Sequence, residues 1–193
     1  MSHMDLSKNQ VLEVIDARRS IRKFEKTAIS EDEIKALEMA ALTAPTAMNR
    51  RELRFTFLHG EEKISALHEE VAAIMAESEG GRASLERLEE RGAENVFYGA
   101  PLVILISGKE TTWTSLDAGI AVQNLALAAE SLGLGSCIIG MIRRAFKPNH
   151  PEGLDKKYHF EEGENFQISI AIGHKAMSKD AHEQEAEHIR HIK

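Results

Sequence analysis

The 193-residue chain has little cysteine, no excess of basic charge and no long apolar run, and each shortage removes a class of function. Its one cysteine, Cys137, excludes an internal disulfide and any multi-cysteine metal or iron–sulfur site, and suits a reducing, cytoplasmic compartment. Acidic residues number 31 against 24 basic ones, a net charge of −7 with the nine histidines neutral, which disfavours sequence-independent binding to a nucleic-acid backbone. The longest nearly uncharged stretch, residues 118–129, falls short of the roughly 18 to 20 apolar residues of a membrane span. Met1-Ser2-His3-Met4-Asp5 has no basic region leading into an apolar one, so no secretory signal is expected, and residues 1–6 read as disordered or tag-derived. No repeat, low-complexity tract or Pro/Gly/Ser-rich linker divides the chain. A single domain over 1–193, with 176–193 as a C-terminal tail, is expected.

Helix and strand signals follow one another along the chain. Ser7-Lys8-Asn9-Gln10 reads as a capping box, the serine hydroxyl accepting from the fourth residue's N–H, with Val11, Leu12 and Ile15 on the apolar face of a helix to about Arg18. Ser30-Glu31-Asp32-Glu33 is a second box, followed by Ile34, Leu37 and Ala41 at helical spacing, with Pro45 marking the end. Arg54 to Phe57 alternate polar and apolar, the pattern of a half-buried strand ending at His59-Gly60. Glu61 to Arg91, broken at Gly80-Gly81, reads as two amphipathic helices with Ile64, Leu67, Val71, Ile74 and then Leu85, Leu88 inward. Leu102 to Ile106 is a strand buried on both faces, and Cys137-Ile138-Ile139 and Phe166 to Ile172 are two more, with His150-Pro151-Glu152-Gly153 a surface loop. The sum is an α+β fold, a mixed central sheet sandwiched by helices. The helix expected over 118–129 is apolar all round its wheel, so it must be buried in a core or a subunit interface.

Arg18-Arg19-Ser20-Ile21-Arg22-Lys23-Phe24 is the strongest chemical signal: four cations and a hydroxyl within six positions of an acidic chain. A phosphate monoester is recognised by such a set, through guanidinium forks, a hydroxyl donor and backbone amides. A solvated basic turn complementing a helix C-terminus is the other reading. Competing motifs are poor. Gly133-Leu134-Gly135 lacks the third glycine of a dinucleotide fingerprint, and His182-Glu183 lacks the second histidine of a metalloprotease. His188 and His191 read as a solvated tail, so no metal is expected. Cys137 reads as a buried apolar residue, and Trp113 and Phe97 as core.

The basic segment resembles the N-terminal signature of the FMN-dependent nitroreductases, Arg-Arg-Ser-Ile-Arg followed by an aromatic. Three further segments are similar to that family in the same order: Ala44-Pro45-Thr46-Ala47-Met48-Asn49; Phe97-Tyr98-Gly99-Ala100-Pro101; and Asp117-Ala118-Gly119 through Gln123-Asn124 to Gly133-Leu134-Gly135 and Gly140. The resemblance implies a nitroreductase-like FMN fold, with the central helix in a homodimer core and FMN at the interface. By position it implies Arg18, Arg19 and Ser20 on the phosphate and Arg22 at the N1/O2 edge of the isoalloxazine, where a cation favours the charge that accumulates on reduction. Pro45, Thr46 and Ala47, supported by Asn49, would cover the ring from the other subunit, and Ile138, Ile139 and Gly140 would run beside it. The chain departs from the family pattern at Arg51-Glu52-Leu53, where Gln-Pro-Trp is usual, and at His174-Lys175, where an aromatic-Pro pair is usual. Lys175 or Lys179 then supplies the C-terminal cation of the phosphate site.

The activity implied is ping-pong hydride transfer from NADH or NADPH, through flavin N5, to a small nitroaromatic or quinone, with no dedicated side-chain acid or base. Alternatives are a flavin reductase, reductive dehalogenation or flavin-fragmenting chemistry on a similar scaffold, an FMN-binding storage or sensing protein, and a helical-cover protein with an accidental basic turn.

Overall fold

The computed structural model describes residues 9–146, 153–181, 183 and 186–192. Ser7, Lys8, the 1–6 segment, His150 to Glu152 and His182 lie outside the described residues, so the first capping box, the surface loop and the metalloprotease comparison are judged only on what adjoins them. Helix α1 (Gln10–Ala17) opens on Asn9, whose Oδ1 accepts from the N–H groups of Val11 and Leu12. Asn9 thus caps the described helix through its amide oxygen, and the box expected at Ser7 lies outside the described residues.

Helix α2 (Glu31–Leu42) starts on the box expected of it. Ser30 Oγ accepts from Glu33 N, and the Glu33 carboxylate accepts from Ser30 N at 2.8 Å. The Ser30 hydroxyl, which also donates to that carboxylate at 2.6 Å, and then the Ser30 N–H hold the Glu33 carboxyl below its ordinary range. Helices α3 (Glu61–Ala76) and α4 (Glu79–Glu90) break at Glu77-Ser78, three residues ahead of the glycine pair. The glycines belong to the first turn of α4: Ser78 Oγ accepts from Gly81 N, and a Cβ on Gly81 would stand 1.9 Å from the Met75 carbonyl oxygen. Gly81 is there for close approach, not for breaking the helix.

Strands β1 (Leu53–His59), β2 (Leu102–Lys109), β3 (Leu134–Ile139) and β4 (Glu164–His174) form one sheet in the order β1-β2-β4-β3. All three ladders are antiparallel, and among the described residues the parallel component expected of a mixed sheet is confined to one bridge, Ser20 with Ser136. The central β2 is buried on both faces, as its unbroken apolar run requires. Val103, Leu105, Cys137 and Ala171 face a core closed by α3, α4, Phe97 and Phe146. Leu102, Ile104, Ile106, Ile170 and Ile172 face a second core closed by α2 and α5 (Thr114–Ser131). Burying each Val, Leu, Ile or Phe side chain among them contributes about 1.5–3 kcal/mol.

The register of β2 on β4 shifts between Ile106 and Ser107, leaving Gln167 as an extra residue in β4. Such a bulge reverses which face the following side chains take, so Phe166 joins one core and Ile170 the other.

Helix α5 departs from the expectation in one respect. Ala118, Ala121, Val122, Leu125, Ala126 and Ala129 are buried, but Leu116 and Ile120 on the opposite side are 60% and 41% exposed in the single chain. Among the described residues no helix is long and apolar enough to cross a membrane.

Candidate cofactor site

After α1 the backbone turns extended at Arg18 and runs along the free edge of β3. Ile21 N donates to the Ser136 carbonyl at 2.8 Å, and Glu25 N donates to that of His174 at 2.9 Å. Ile21 and Phe24 are buried in the core and anchor the segment. The approach needs Gly135, since a Cβ there would meet Ile21 Cβ at 3.0 Å and Lys175 Cγ at 2.9 Å. Pinned in this way, the basic residues are presented on β3 rather than left in a loose turn.

Three cations are close enough for their charge to be felt at Cys137 of β3. Burial pushes the Cys137 thiol up, and the charges of Arg22, Lys179 and Arg18, in that order, oppose it. Cys137 is 2% exposed and sits in the core as expected. Among the described residues no hydrogen bond or ion pair ties down the side chains of Arg18, Ser20 or Lys179. Arg22 donates its backbone N–H to Met177 Sδ at 3.4 Å and holds its guanidinium 5.9 Å from the centre of the Tyr98 ring. Tyr98 is fixed by a left-handed turn in which the Asn95 side chain accepts from Phe97 N and Gly99 N. Uncommitted guanidinium, ammonium and hydroxyl donors in a chain of net charge −7 fit an anion, and a phosphate in particular.

Two of the expected phosphate ligands are turned elsewhere. The Arg19 guanidinium donates to the carbonyls of Asp16 and Arg18 at the end of α1, as a cation does at a helix C-terminus, although its Nε is buried without a partner. Lys175 Nζ is paired with Glu130 of α5 at 2.7 Å. Of the two candidate C-terminal cations, Lys179 is the one whose charge reaches Cys137.

Ile138, Ile139 and Gly140 follow directly from the cationic cluster. Ile138 is exposed, Ile139 is buried with its carbonyl accepting from Ser169 Oγ at 2.8 Å, and Gly140 is exposed and opens the 3-10 turn Met141–Arg144. An exposed backbone ending in a glycine lets a flat molecule lie close.

The Pro45 to Asn49 turn stands apart from this cluster. Among the described residues no hydrogen bond or ion pair joins it to Arg18, Ser20 or Arg22 of the same chain. It is fixed to α5 instead, Ala47 N donating to Asp117 Oδ1 at 3.0 Å. Thr46 Oγ1 accepts from Arg51 N and Asn49 Oδ1 from Arg51 Nε. Met48, Asn49 and Arg51 all take positive φ, a conformation that costs non-glycine residues free energy and persists only where bonds hold it. Asp117 was quoted for the resemblance but not expected in the site. An acid in the first turn of a helix beside a segment rich in turn residues was its signal. Phe97 is fully buried, as expected, whereas Trp113 is about half exposed at the start of α5. Among the described residues no cluster of metal-ligating side chains occurs.

The same fold recurs in known proteins. The chain superposes on a nitroreductase with bound FMN from Desulfitobacterium hafniense DCB-2 with a TM-score of 0.87 and 32% identity, over 96% of this chain and 99% of that one. An FMN-bound nitroreductase from Bacteroides fragilis NCTC 9343 gives 0.84 and 27%, over 96% and 100%. A Bacillus subtilis (strain 168) FMN reductase (NADPH) is 31% identical over 141 residues, which cover 70% of this chain and 55% of that protein. The family model described as the Nitroreductase family matches residues 15–174, and the chain belongs to that family.

Proposed function

We propose that this single-domain chain is an FMN-dependent NAD(P)H oxidoreductase, cytoplasmic and homodimeric, that reduces a small acceptor such as a nitroaromatic or quinone. The observation that carries the reading is the basic segment from Arg18 to Arg22 pinned along β3 by the Ser20–Ser136 bridge and the Ile21 N–H, beside the exposed Ile138 and Gly140. Arg18, Ser20 and Lys179 hold the phosphate of FMN. Arg19, through its unpaired Nε, is the remaining donor in reach of that end. Arg22, braced on Tyr98, faces the ring and favours negative charge there.

FMN, when bound, supplies a two-electron carrier between the nicotinamide and the acceptor. The chain's own residues bind and orient it. Ile138 to Gly140 offer it a flat backbone flank, and the Asp117-anchored turn at Pro45, Thr46, Ala47 and Asn49 covers the ring of the partner subunit's cofactor. That sharing between subunits accounts for a turn so firmly held yet tied to no cation of its own chain. The exposed Leu116 and Ile120 of α5 form the centre of the dimer interface.

Steady-state oxidation of NADH and NADPH by the FMN-loaded protein, with a quinone or a nitroaromatic as acceptor, tests the reading. Turnover that requires both FMN and acceptor, with parallel double-reciprocal plots, is expected. FMN binding with no turnover on any acceptor favours a flavin carrier instead.

A further inference from the structure

An open cleft of about 430 Å3 lies where the start of α5, the bulge in β4 and the turn after Gly140 come together. Its floor is aromatic: the Phe146 and Phe166 rings stack with centroids 5.0 Å apart. Gln167, the extra residue of the bulge, accepts from Ser115 Oγ at 3.0 Å, so the bulge is what brings an amide and a hydroxyl to this wall.

The cation of the cavity is Arg143. Its backbone N–H donates to the Gly140 carbonyl at 3.1 Å, which puts it one 3-10 turn from the exposed glycine that flanks the proposed flavin. Its side chain is exposed and makes no ion pair or hydrogen bond among the described residues. Arg144, next to it, is different, since its guanidinium lies against Gly80 of α4. The one carboxylate lining the cavity, Glu110, accepts from the Asn165 amide rather than from Arg143. A planar guanidinium with no side-chain partner among the described residues, near aromatic side chains and beside hydroxyl and amide groups, suits a flat ring bearing a carboxylate.

We propose that this cavity binds the carboxylate end of an aromatic acceptor, with Arg143 as the residue that selects for the negative charge. The proposal rests on the oxidoreductase reading and narrows its acceptor from any small nitroaromatic or quinone to those carrying an anionic group.

Calorimetric titration of 4-nitrobenzoate and of nitrobenzene into the full chain with FMN added, for the parent and for Arg143→Gln, tests it. The parent is expected to bind 4-nitrobenzoate about tenfold more tightly than nitrobenzene. In Arg143→Gln that preference disappears, with nitrobenzene and FMN affinities unchanged. Equal affinities in the parent, or a preference that survives the substitution, overturn the proposal. So does a variant that weakens NADPH relative to NADH while leaving 4-nitrobenzoate untouched, because Arg143 then serves the reductant's phosphate. The binding readout needs no turnover. A carboxylate preference lost in Arg143→Gln supports the anion cavity even where the loaded protein oxidises neither nicotinamide, and in that case the oxidoreductase reading alone falls.

Discussion

Lys175 and Lys179 show what a single residue's surroundings decide. Both are cations just beyond β4, and nothing in their spacing ranks them. Glu130, 45 positions away in the chain, neutralises Lys175, while Lys179 keeps its charge for the strand that bears Cys137. That choice depends on tertiary packing of α5, which the sequence around the lysines does not encode. The basic segment from Arg18 to Arg22 stands out in the sequence because its charge is concentrated in six positions, whereas the turning of the Arg19 guanidinium to the carbonyls of Asp16 and Arg18 leaves no mark there. The expected outcome is that Lys179→Ala weakens FMN about tenfold and Lys175→Ala changes it by less than about twofold, measured by quenching of flavin fluorescence. Arg18→Ala combined with Ser20→Ala costs about 3–6 kcal/mol of FMN affinity, since bonds to a charged group contribute about 1.5–3 kcal/mol each. Unchanged affinity in the double variant contradicts the cradle.

Elements whose signal is local were read correctly. The Ser30 box needs only four residues, and both of its bonds form. The run at β2 needs only continuity of apolar side chains. Where an element's boundary depends on a neighbour, the sequence misled: the Gly80-Gly81 pair looks like a breaker, yet Ser78 caps the new helix and the glycines let it pass the Met75 carbonyl. The bulge at Gln167 likewise leaves no mark in the alternation of β4. In the turn from Thr46 to Arg51 three non-glycine residues take left-handed conformations that each cost about 1–3 kcal/mol, held against that cost by the bonds of Asp117, Thr46 and Asn49. Asp117→Ala removes the bond to Ala47 N and is expected to weaken FMN and lower turnover about tenfold, while Asp117→Asn, which keeps an acceptor oxygen, stays within a few-fold of the parent. FMN titration beside a far-ultraviolet spectrum checks this. Equal loss in both variants, with the fold intact, means that charge rather than turn geometry is what Asp117 contributes.

At the scale of the molecule, the sheet and its two cores bury the apolar runs of β2, β3 and β4 and leave an apolar face on α1 and α5 uncovered. Leu116 and Ile120 on α5, and Val11 and Ile15 on the neighbouring α1, remain exposed in the single chain. The all-round apolar character of α5 read from its wheel is thus explained by the chain's own core on one side only, and the proposed second copy accounts for the other. Leu116→Glu with Ile120→Glu places charge on that face and is expected to give a folded monomer by sedimentation, with FMN bound at least tenfold more weakly because the covering turn is lost. A dimer that persists with full affinity contradicts a shared cofactor site. The most direct test of the whole account is the visible spectrum of the FMN-titrated protein before and after anaerobic addition of NADH and then NADPH. Stoichiometric binding followed by bleaching of the flavin band with one or both is predicted, and bound flavin that stays yellow under both reductants, or no binding at all, contradicts it.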